Sequence, residues 1–248
     1  MASLSPLGLA FYVVVLVGAF AVRSAAGFGA GLIAVPMLAF VLPVPTAVSV
    51  ATVLTMVTSA QQVGRDWGQI AWGQFVILTF YTAIGIGLGF YFISMLNEIA
   101  MRRGLGGFLI LYSIYALWTR GDSPVLPTRW HGALAAIAGI SGGFFGALFG
   151  GGVGPIYMIY FNVVRMNKGV FRVTMSTIML VSVAARIIGY ASFGFYGRSA
   201  MTLLALGLPL VFVGSWLGDR LALRLDPRKF GSLVGALVLL SGLALILR

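Results

Sequence analysis

The chain has no cysteine, a single histidine and only five acidic residues among 248. Without cysteine there is no disulfide and no thiolate metal site, and His131 as the sole imidazole leaves a Cys/His metal pathway without ligands. A membrane hydrolase that pairs serine with histidine meets the same shortage, because His131 falls in a linker between apolar runs. No P-loop, dinucleotide fingerprint or HExxH stretch occurs. The GFGAG at 27–31 is followed by leucine and lacks the preceding strand and later acid of a nucleotide loop. These absences argue against an enzyme and imply no cofactor; a non-transporting membrane subunit stays open.

What is present is apolar. Hydrophobic residues make up 60% of the chain and charged residues 8%, far below the roughly 25% of soluble domains, and the mean hydropathy is +1.05. The composition is that of an integral membrane protein. The 16 Lys and Arg lie almost entirely in short breaks between apolar runs, where charge orients spans and meets anionic lipid headgroups, so the expected partner is the bilayer and not nucleic acid. Ten apolar segments stand out, at 7–22, 28–43, 46–63, 73–96, 105–118, 132–149, 153–164, 170–192, 200–222 and 230–247, most near the ~20 residues a crossing helix needs. MASLSPLGLAFYVVV carries no Lys or Arg before its apolar run, so the first segment reads as a span and not as a cleaved signal.

The stretch TRGDSPVLPTRWHG divides these segments five and five, giving a first repeat at 1–118, a linker at 119–131 and a second repeat at 132–248. Gly29-Ala30-Gly31 recurs as Gly150-Gly151-Gly152 at an offset of 121, and the Gly85/Gly89 pair recurs as Gly214/Gly218 at 129. Five crossings per half force the second half to enter from the opposite face, so the repeats are expected to be inverted. Charge supports that count. Arg23, Arg65, Arg120, Arg129, Arg165, Lys168, Arg172, Arg220, Arg224, Arg228 and Lys229 fall on one side, against Arg102, Arg103, Arg198 and Arg248 on the other. That bias places both termini outside. The rival count treats 28–43 and 153–164 as re-entrant and leaves eight full spans.

Each half opens on a break of helical rules: GFGAGLIAVP at 27–36 and GGGVGP at 150–155. In lipid an unwound backbone exposes polar groups costing several kcal/mol each, so it survives only where protein or a watery cavity satisfies them. Two Gly-rich breaks followed by apolar helices would aim helix N-termini, with free N–H groups and positive dipole ends, at an interior anion. The breaks nominate Gly29, Gly31, Pro36, Gly150, Gly151, Gly152, Gly154 and Pro155. Close helix packing is the competing account of such glycines, and it is the preferred one for Gly85/Gly89 and Gly214/Gly218. Arg186 is the one basic residue deep in an apolar segment, a placement costing at least ~2.5 kcal/mol and normally answered by a cavity or partner. Snorkelling to an interface is its alternative. Thr52, Thr55 and Gln61 on one segment and Thr174 and Ser176 on its mirror add hydroxyls and an amide able to bind anion oxygens. Their alternative is bonding to carbonyls of their own helix.

GFGAGLIAVPML and GALFGGGVGPIYMIYF resemble the paired opening motifs of the TauE/SafE family of sulfite and organosulfonate exporters, with Gly150 to Gly152, Gly154, Pro155 and Tyr160 matching the second motif and Ala30 standing where a glycine is frequent in the first. The resemblance implies transport of small sulfur-containing anions such as sulfite, sulfoacetate or related sulfonates across a bacterial inner membrane. With the cell interior negative, each negative charge gains ~2.3 kcal/mol per 100 mV on moving outward. No acid lies well inside a segment to serve a proton symporter. Export by alternating access is therefore expected, with an anion channel or an uptake permease as alternatives. A homo-oligomer stays open.

Overall fold

The computed structural model describes residues 5–26, 29–119, 127–150, 153–221 and 227–247. All regular structure among them is helical: α1 (Pro6–Ala26), α2 (Ala30–Leu38), α3 (Val44–Asp66), α4 (Trp72–Ile93), α5 (Glu98–Thr119), α6 (His131–Phe149), α7 (Val153–Val163), α8 (Lys168–Ser192), α9 (Arg198–Leu221) and α10 (Pro227–Leu247). Each of the ten expected apolar segments thus contains one helix. Local signals set several boundaries. Pro43 precedes α3 with its φ preset, and the Asn167 side chain accepts from Gly169 N at 3.0 Å to cap α8. The fifth segment begins earlier than its apolar run suggests: Asn97 Oδ1 accepts from Ala100 N at 2.8 Å, so Glu98, Arg102 and Arg103 belong to the first turns of α5 and not to a loop.

Six of the described helices, α1, α3, α4, α6, α8 and α9, are long and apolar enough to cross a membrane. The outer surface is correspondingly apolar, with Val76, Phe80, Tyr91, Leu111, Ile137 and Ile188 all exposed. By contrast α2 has 9 residues and α7 has 11, a rise of ~14 to 17 Å that covers about half of a ~30 Å hydrocarbon core. Pro36 lies inside α2, where its missing N–H leaves the Leu32 carbonyl without an intrahelical donor.

The packing repeats when each helix of the first half is exchanged for its counterpart. α1 lies on α9 as α6 lies on α4, α3 touches α9 as α8 touches α4, and α3 packs on α8 and α5 on α10. Glycine makes the tightest of these contacts possible. A Cβ on Gly85 would stand 2.1 Å from Ile140 O, one on Gly143 2.2 Å from Thr82 O, and one on Gly218 2.2 Å from Ala21 O. Close packing is thus what Gly85/Gly89 and Gly214/Gly218 do. α3 and α8 run antiparallel, since Ser49 Oγ donates to Phe195 O near one end and Ala71 N donates to Thr174 Oγ1 beyond the other.

Candidate functional site

Two buried guanidinium groups organise the polar interior. Arg186 on α8 is 2% exposed. Its Nη1 donates to Gly146 O at 2.7 Å and its Nε to Ser182 O at 3.3 Å. One turn later Tyr190 Oη donates to Ala147 O at 2.6 Å. Tyr190 therefore supplies a donor to a carbonyl of the last turn of α6, and Arg186 adds a second donor to Gly146 O, which also accepts from Gly150 N at 2.9 Å, at the negative end of the helix dipole. The chain then breaks at Gly150, whose φ of 65° is left-handed. A Cβ there would stand 2.8 Å from Val48 Cγ1 and 3.2 Å from Thr52 Oγ1, so the break and α3 approach each other as only glycine allows. Thr52 Oγ1 bonds Val48 O at 2.7 Å and lies beside the Tyr190 phenol. Tyr157 on α7, bonded to Thr82, faces the Arg186 charge. Tyr196, in the turn between α8 and α9, also faces it, with a buried hydroxyl that makes no hydrogen bond; burial pushes its pKa up and keeps it a neutral donor.

The second group is Arg23 on α1, 6% exposed, whose Nη2 donates to Ser59 Oγ on α3 at 2.7 Å. It lines a cavity of about 220 Å³ together with Thr58, Gln61, Ser176, Ser215 and Trp216. Asp219 stands at this cavity, accepting from Ser24 Oγ at 2.5 Å and pairing with Arg65 at 3.5 Å. Arg172 Nη2 donates to Ser24 O at 3.0 Å. Basic residues that the charge count puts on one side, Arg23, Arg65 and Arg172, thus converge on one end of the bundle. Among the described residues the ion pairs are Arg65 with Asp219 and Arg102 with Glu98, so neither Arg23 nor Arg186 has a carboxylate partner.

The two places are separated along the α3/α8 pair. From Thr52 to Ser59 is seven residues, ~10 Å of helix, and from Ser176 to Arg186 is ten, ~15 Å. Between them lies Thr55, 6% exposed, with a hydroxyl lacking any partner.

The expected site residues therefore do not form one cluster. Thr52, Gly150 and Arg186 come together at the α6 end, whereas Gln61 and Ser176 line the cavity at Arg23. Thr174 is spent on Ala71 N at 3.0 Å, outside both. Gly29 is the N-cap of α2 with φ 102°, Gly31 and Pro36 are within α2, and Gly154 and Pro155 are in the first turn of α7, where proline costs no hydrogen bond. Gly151 and Gly152 lie outside the described residues. The bland reading of the hydroxyls holds for Thr52, Thr58 and Thr177, which bond carbonyls of their own helices. Snorkelling is excluded for Arg186 by its burial. Trp216 is 53% exposed, with Arg220 stacked 3.9 Å from its ring centroid. Sequence reasoning did not nominate Tyr157, Tyr190 or Tyr196. The i, i+4 spacing of Arg186 and Tyr190 on one helix face was the available signal.

An apolar-surfaced helical bundle with half-length helices and uncompensated buried cations defines a multi-pass membrane protein. Residues 10–245 match the model of the sulfite exporter TauE/SafE family, and the chain belongs to that family. The family is one of membrane transporters for sulfur-containing anions and not of enzymes. No curated protein and no solved structure matches the chain.

Proposed function

We propose that the protein exports a small sulfur-containing anion, sulfite, sulfoacetate or a related sulfonate, across a bacterial inner membrane by alternating access. Two inverted halves, 1–118 and 132–248 about the linker 119–131, would rock against each other with both termini outside. The observation that carries the reading is Arg186: a guanidinium 2% exposed, with no carboxylate partner among the described residues, held where Gly150 of the second half meets Thr52 of the first. A buried charge normally has a counter-ion, and a transported anion supplies one. The antiparallel run of α3 and α8 and the exchange pattern of the packing support inversion. The membrane potential supplies the direction at ~2.3 kcal/mol per charge per 100 mV.

The test is sulfite and sulfoacetate efflux from proteoliposomes under an imposed potential. A saturable flux is expected, with loss of at least about tenfold in Arg186→Ala and partial recovery in Arg186→Lys. Flux unchanged in Arg186→Ala would remove that residue from the site, and flux linear in anion concentration would replace the carrier with a channel.

A further inference from the structure

We infer that the cavity at the basic end of the bundle is a second anion-binding site, built on Arg23 and taking the compact oxyanion head of a sulfite- or sulfonate-like ligand. Its charge is the first reason. Arg23 is buried with one neutral partner, Ser59, and the only carboxylate among the described residues lining the cavity, Asp219, is already engaged by Ser24 and Arg65. Arg172 approaches from behind Ser24 with its Nε unbonded, so the positive charge there exceeds the negative. The donor count is the second reason. Ser176, 2% exposed, makes no hydrogen bond to any described residue, and neither do Gln61 and Ser215. Hydroxyl and amide protons beside a guanidinium match a ligand made only of acceptors, and the excess positive charge repels a cation. Trp216 and Phe212 form an apolar wall of the same cavity, which leaves room for a short organic body behind the charged head.

The site lies ~10 to 15 Å along α3 and α8 from Arg186, with the unbonded Thr55 hydroxyl between. It would serve as the cytoplasmic station of the transport path; that placement rests on the transport reading, while binding itself does not. Trp216 supplies the reporter. Detergent-purified protein is titrated with sulfite and with methanesulfonate at constant ionic strength, following tryptophan emission with Trp216→Phe as the blank. A saturable change is expected, with a dissociation constant raised about tenfold or more in Arg23→Gln, the loss of one charge-assisted contact. Ser176→Ala, which removes a hydroxyl that holds no fold contact, should weaken binding about threefold with the melting temperature unmoved. Arg186→Lys should leave the Trp216 response within about twofold, since that residue sits a separate ~15 Å away. No saturable response, or an unchanged constant in both Arg23→Gln and Ser176→Ala, overturns the site. A response lost in Arg186→Lys alone also overturns it, and leaves transport through Arg186 standing.

Discussion

At the scale of single residues, Arg186 does two things at once. Its guanidinium donates to the Gly146 carbonyl at the negative end of α6, and it holds a positive charge that no acid among the described residues cancels. Gly150 is the companion constraint, because the chain leaves α6 there in a left-handed conformation against Val48. Gly150→Ala should destabilise the protein by about 2 to 4 kcal/mol, combining backbone strain with a 2.8 Å contact. Thermal unfolding in detergent measures it; a melting temperature at the wild-type value would mean the break relaxes freely. The importance of Arg186 was legible from its position in an apolar run. Its partners were not, because Gly146 and Ser182 offer backbone carbonyls, and a carbonyl carries no residue signature.

At the scale of elements, glycine has two separable uses. Gly85 and Gly87 sit two residues apart in α4, on different faces. A Cβ at 85 meets the α6 backbone at 2.1 Å, while one at 87 meets nothing within 4 Å. Gly85→Ala should therefore cost about 1 to 3 kcal/mol or separate α4 from α6. Gly87→Ala should be neutral or stabilising by up to ~1 kcal/mol through helix propensity. Paired melting curves decide it, and equal shifts would refute close packing at Gly85. The apolar runs marked where the ten helices among the described residues form. They marked α7 as short, at 153–164, but did not show where α2 ends, since apolar residues continue past Leu38 while the helix stops there.

At the scale of the whole molecule, α3 and α8 form an antiparallel pair with a guanidinium toward each end and hydroxyls between. A chain without cysteine suits single-cysteine mapping of the proposed topology. Ser5→Cys and Ser192→Cys should react with an impermeant maleimide from outside intact cells, and Asp66→Cys only after permeabilisation. Labelling of Asp66→Cys from outside would reverse the proposed orientation. Asp66 and Ser192 end corresponding helices, α3 and α8, so labelling on the same face would contradict inversion.

Composition and hydrophobic periodicity determined the membrane class, the number of helices and the two Gly/Pro breaks, because each of those depends on properties a segment carries by itself. The opening motifs carried the family in the same way. Only the tertiary structure decided how the polar residues divide. Thr52 and Gly150 join Arg186, Gln61 and Ser176 join Arg23, and Thr174 is consumed by Ala71. That division depends on the register at which α3 slides past α8 and on how far α1 reaches along α3. Register between helices is fixed by side-chain packing across the interface, not by the sequence of either helix alone.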